Sequence, residues 1–257
     1  MKRIVIIIAT VASIPLLTGP SVKANSDTPP NRQDVIRSFE LYVKGIQLKE
    51  RDRVLRILSD GTDQPLHDSL RLMYPDYDAT VRKIERADAD NHLSALVSFH
   101  THTSPYVRAD AIYLTARRHV HQERFDQALP LLEQLARSPL RHLTLNHGYI
   151  RYFLGISQIR LLKRGEGKLN LLRFIANFPD APERYRATAR YLYNQVDTIQ
   201  PGSLPDILDH ARESHRRLSL GLVDDRTIEV QQQIISQLDT LIKEHHTSPR
   251  SSQSHQR

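Results

Sequence analysis

Apolar residues recur along most of this chain at intervals of three and four. Val35, Ile36, Phe39, Tyr42, Val43 and Ile46 trace one stripe, the pattern of a helix with one side turned to a core. Val54, Leu55, Ile57 and Leu58 predict a second helix ending at Asp60-Gly61. Shorter helical segments follow around Leu66 to Met73 and Val81 to Arg86. Asn91 is placed to cap a helix carrying Leu93, Leu96 and Val97. Ser104-Pro105 is a stronger start signal, because the hydroxyl accepts an orphan N–H and proline suits the first helical position. No segment sustains the alternation that a half-buried strand requires, so the expected class is all-α.

The C-terminal part carries two heptad patterns. Leu204, Leu208, Ala211, His215 and Leu218 form the first, in a helix opened by Ser203, Pro205 and Asp206. After Gly221 and the capping pair Asp224-Asp225, Ile228, Gln231, Ile235, Leu238 and Ile242 form the second. They predict an antiparallel helical hairpin over 201–246 that packs along these residues.

Between these regions, small residues, aromatics and prolines recur. Ala116, Phe125, Ala128 and Pro139 are followed by Gly155, Gly167, Phe174 and Pro179, and Gly155 to Ala189 spans 34 residues. These spacings resemble the tetratricopeptide repeat (TPR), a helix–turn–helix unit of 34 residues, over roughly 108–196. Ala116 with Ala128, and Gly155 with Gly167, stand where its two helices cross. Ala189, with Tyr185 and Leu192, would open a third unit. The match is degenerate: Ala116 to Gly155 is 39 residues, and Arg164 replaces the expected aromatic. The segment 104–111 also resembles the second helix of a HEAT repeat, the alternative. Either resemblance implies a right-handed α-solenoid of helix pairs, closed by the C-terminal hairpin. The tetratricopeptide pattern further implies that Asp110, Tyr113, Arg117 and Val120 of one helix, and Tyr149, Tyr152, Ile156 and Ile159 of the next, face a concave groove. Tyr113, Arg117, Tyr149, Tyr152 and Ile156 are the implied peptide-binding residues.

The N-terminus reads as an export signal. Met1-Lys2-Arg3 precedes an apolar run from Ile4 to Leu17, and Val22-Lys23-Ala24 supplies the small-residue cleavage pattern before Asn25. The expected organisation is signal peptide 1–24, flexible leader 25–32, N-terminal helical region 33–104, repeats 105–200, hairpin 201–246 and disordered tail 247–257. Export to a bacterial periplasm or exterior follows, with no stable membrane insertion after cleavage.

Composition narrows the chemistry. The chain has no cysteine, which excludes disulfides, thiolate catalysis and cysteine-held metal clusters. Nine glycines in 257 residues argue against glycine-rich nucleotide loops. The net charge of +7 is partly the signal's own, so it is weak support for a nucleic-acid partner, and none is expected. Thirteen histidines raise a metal hypothesis, but His119 and His121 diverge on a helix and no His-Glu-x-x-His occurs. His100-Thr101-His102 is the one local chelating pattern. No Gly-x-Ser-x-Gly is present, and Asp224 and Asp225 are better read as caps than as a catalytic pair. Arg184, Arg186 and Arg190 read as a solvated basic face. No catalytic residue, metal or cofactor is expected. The reading implied by the resemblance is an exported protein- or peptide-binding scaffold of the bacterial cell envelope. The alternatives are a binder of anionic envelope polymer, or a hydrolase of cell-wall material whose site is unmarked in the sequence.

Overall fold

A computed structural model describes residues 28–86, 92–137 and 139–247. The expected signal peptide with its cleavage site, the leader up to residue 27, the Asn91 cap and the tail from 248 lie outside the described residues. Within them the chain is all-helical, with no strand. The helices are α1 (Arg32–Gly45), α2 (Arg51–Ser59), α3 (Pro65–Met73), α4 (Pro75–Glu85), a short α5 (Leu93–Val97), α6 (Pro105–His121), α7 (Phe125–Ala136), α8 (His147–Arg160), α9 (Arg164–Asn177), α10 (Glu183–Thr198), α11 (Leu204–Ser219) and α12 (Asp225–Thr247). No helix among the described residues is long and apolar enough to cross a membrane.

Local chemistry sets these boundaries. The Asn31 side chain accepts from Gln33 N at 2.9 Å to open α1, and Ser104 accepts from Val107 N to open α6. Prolines sit at the starts of α3, α4, α6 and α11, where a missing N–H costs nothing. Asp224 caps α12 by accepting from Thr227 N at 3.1 Å.

Two apolar cores share α6. Val35, Phe39, Val54, Leu70, Tyr77 and Leu96 pack with Tyr106, Val107 and Ala111 at the start of α6. Ile112, Tyr113 and Ala116, further along it, pack with Leu132, Phe153, Leu171, Phe174 and Ala189. α6–α7 and α8–α9 are paired neighbours, α8 lies against α7, and α10 lies against α9. At the α8–α9 crossing the backbones nearly touch. A Cβ on Gly155 would come 2.6 Å from the Leu171 side chain and 3.1 Å from the Gly167 carbonyl oxygen. One on Gly167 would come 2.8 Å from the Gly155 oxygen.

The hairpin forms, but turned by one residue from the sequence expectation. Leu204, Leu208, His215, Leu218, Ile228, Gln231, Ile235, Leu238 and Ile242 are exposed rather than at the seam. The seam is marked by polar ties: Arg217 Nε donates to Thr227 Oγ1 at 2.9 Å, and Gln237 Nε2 donates to Asp206 Oδ2 at 2.7 Å. Buried Ile207, Ser214 and Val230 lie along the same line. On its other side α11 is clamped to the preceding array of packed helices, α6 to α10. Arg216 reaches the Glu123 carbonyl and Asp126, while Arg164 reaches Asp206 and Asp209.

Candidate functional site

An open cleft of about 650 Å³ lies where α3 and α4 meet α6. Its walls carry His67, Asp68, Arg71, Glu85, Arg117 and Arg118, among others. At its base is a buried cluster built from three helices. His67 Nδ1 lies 2.6 Å from Asp110 Oδ2, and the Tyr77 hydroxyl donates to the same oxygen at 2.8 Å.

The fold dictates this cluster. Asp110 sits in a segment of α6 whose neighbours Ala109, Ala111 and Ile112 are all buried. A carboxylate there must be paired. Tyr77 is fully buried on α4, where its ring packs edge-on against Phe99 and leaves only the hydroxyl needing a partner. Burial, followed by the adjacent Asp110 charge, pushes the Tyr77 hydroxyl far above its ordinary pKa, so it remains a donor. Burial opposes charge on His67, but the Asp110 hydrogen bond and charge outweigh it and raise the imidazole above its ordinary 6.5. In its protonated form the imidazole donates from Nδ1 to the buried Asp110 carboxylate.

The cleft walls mix signs. Arg71 is fixed by Asp78 at 2.6 Å and Glu85 at 2.8 Å. Burial, aided by Arg117 and Arg118, keeps His121 below its ordinary pKa. Asp63, Asp68 and Glu85 supply negative charge against the three arginines. No serine, threonine, tyrosine or cysteine is among the described residues lining the cleft.

Of the residues expected at a peptide groove, Arg117 is exposed and lines this cleft. Tyr113 and Tyr152 are at most 7% exposed and belong to the core, and Tyr149 and Ile156 are half-buried against it. Tyr149 and Tyr152 both meet the Tyr185 ring edge-on, at 5.2 and 5.0 Å between centroids. Asp110 and His67, 43 residues apart, are the pair that spacing could not join. The available signal was Asp110 itself, an acid inside an apolar helical segment. The His100/His102 pair serves the fold: His100 Nε2 meets Thr115 Oγ1 at 3.0 Å, and His102 Nδ1 accepts from Ser104 N at 3.0 Å. Among the described residues no group of three or more potential ligands is placed to hold a metal ion.

Comparison of the chain with protein-family models, with curated proteins and with solved structures gives no match.

Proposed function

We propose that this chain is an exported binding scaffold whose α3/α4/α6 cleft takes a polypeptide segment bearing both charges. The observation that carries this reading is the mixture of arginines and carboxylates on the cleft's walls around an imidazole fixed by Asp110. A polypeptide offers donors, acceptors and both charges at this scale. A uniformly anionic polymer would meet Asp63, Asp68 and Glu85 at the same walls. The helix pairs α6–α7 and α8–α9, with Gly155 and Gly167 at a close crossing, support a right-handed solenoid of tetratricopeptide type as the frame. The basic start, apolar run and Ala24 cleavage pattern support export and a mature chain beginning at Asn25.

The test is selection from a displayed library of mixed-charge peptides on the wild-type chain. Selected peptides should bind an Arg117→Ala variant at least about tenfold more weakly, the loss of one charged contact. A Leu41→Ala change on exposed α1 should leave binding intact. Equal binding by the Arg117 variant, or cleavage of the peptides, would remove this reading.

A further inference from the structure

Each side of α11 has a separate use. Asp206, Asp209, Glu213 and Arg216 stand one residue before the seam positions 207, 210, 214 and 217. Asp206, Asp209 and Arg216 make the ties to the array. Leu208, Ala211, His215 and Leu218 stand one residue after the seam, as do Ile228, Gln231, Ile235, Leu238 and Ile242 on α12. One residue is a turn of 100° about a helix. In an antiparallel pair the chains run oppositely, so the same step carries both stripes to the same side of the hairpin. The ties Asp206–Gln237 and Arg217–Thr227 set Leu208 level with Ile235 and His215 level with Ile228. The result is one apolar face two helices wide, its leucines and isoleucines directed away from the array, with His215 at its edge, where it also lines a cleft shared with α8 and α10. Leu204, Leu208, Leu218, Ile228, Ile235, Leu238 and Ile242 on it are each 40–61% exposed.

We propose that this face packs against the same face of a second copy, forming a two-fold four-helix bundle. Three observations support a second copy as the occupant. A hairpin with one apolar side is half of a four-helix bundle, and the missing half has the shape of the half present. No Asp, Glu, Lys or Arg lies in either stripe, the charge depletion of an interface centre, while Arg212, Glu229, Asp239 and Lys243 border it with both signs. A second copy therefore brings no field of like charge. The area is sufficient: 16 and 23 residues of helix side by side present about 600 Å² per copy, or about 1,200 Å² across the pair, the lower bound of stable interfaces. Closure by two-fold symmetry leaves no apolar face for further growth.

Sedimentation equilibrium of the chain from Asn25 onward at about 50 µM, above the micromolar range of weak association, should give twice its own mass. Leu208→Glu with Ile235→Glu should give monomer. Ile242→Glu, on the part of α12 that runs past the start of α11, should weaken the dimer without touching hairpin packing. Leu41→Glu, an equally exposed leucine on α1, should leave the dimer intact. Helical circular dichroism and melting of each variant establish that it is folded; if the double variant unfolds, Ile242→Glu decides. A monomeric wild-type chain, the result if a different protein covers this face, would overturn the proposal. So would a dimer that survives Ile242→Glu and the folded double variant.

Discussion

Gly155 has no room for a methyl group. Its Cβ would fall 2.6 Å from two carbons of Leu171 and 3.1 Å from the Gly167 carbonyl oxygen, and backbone cannot yield as a flexible side-chain end can. Gly155→Ala should cost about 1–3 kcal/mol in denaturant melts through overpacking. Gly165→Ala, two residues before Gly167 but facing open space in the first turn of α9, should be neutral or gain up to about 0.5 kcal/mol from helix propensity. A second residue-scale feature is the turn that follows α6 and α8. Glu123 and Leu162 hold φ of 56° and 64°, and Arg124 N and Lys163 N each donate back to the helix end at 2.8 Å. The equivalent residue after α11 is Gly221, φ 71°. Glu123→Gly should therefore raise stability by about 0.5–1 kcal/mol, because relief of the left-handed strain exceeds the entropy cost of glycine. Glu123→Val should do the reverse in the same melts. The glycine pair was legible in sequence because a close crossing tolerates few residue types. The tyrosines were not, because a buried and a groove-facing tyrosine look alike along a helix.

At the scale of elements, the hairpin is joined to the array through charge. Asp126 on α7 accepts from Arg216 at 2.8 Å and Arg217 at 3.0 Å, and both guanidinium groups are less than a tenth exposed. Glu213 and Asp224 complete their neutralisation. Burial works against the Asp126 charge, but the arginines prevail and hold its carboxyl below the ordinary 3.8. Burial likewise opposes Asp206, which the Gly202 N–H and Arg164 hold down. Asp224 is lowered to about 2, chiefly by Arg217. Carboxyls lowered in the native state contribute stability above their unfolded pKa and lose it as pH falls through the native value. The hairpin should thus loosen between about pH 4 and pH 2, seen as protease cleavage in 199–203 before global unfolding. Asp126→Asn should bring that cleavage to neutral pH and cost about 1–2 kcal/mol, less than a fully buried pair because Asp126 is partly solvated. The heptads were sufficient to predict two antiparallel helices. They could not give the rotation, because apolar spacing favours its own stripe as the seam while the Asp206, Arg217 and Thr227 ties select the adjacent one.

At the scale of the molecule, α6 is the shared wall of both cores, with ten of its 17 residues buried. Residues 28–198 should therefore unfold in one transition. Val54→Ala in the first core and Leu171→Ala in the second should each lower the same midpoint, by about 1–4 kcal/mol. Two histidines shape the pH profile of that transition in opposite senses. Burial, with Arg141 nearby, lowers His147 to about 4. Its contribution is complete above the unfolded value of 6.5 and fades as pH falls toward 4, so His147→Gln should flatten that limb. His67 is raised, so its contribution is complete below 6.5 and fades as pH climbs through the native value, and Asp110→Asn should flatten the alkaline limb. The all-helical class was readable from periodicity alone. The cleft was not, because it joins α3, α4 and α6 through a contact spanning 43 residues.

The three-sided use of α11 has a consequence for how freely its sequence can change. A typical surface helix keeps a third or more of its circumference for solvent, and there substitutions are near neutral. In α11 one side holds ions against the array and the next meets α12. The third presents leucines. Few of its 16 residues are then interchangeable, and conservative-looking swaps such as Arg216→Lys lose the forked geometry that lets one guanidinium reach Glu123, Asp126 and Glu213 together. Across every single substitution in the chain, α11 should form the least permissive exposed segment. α12, at the outer edge, should tolerate change at every position off its seam and its apolar stripe.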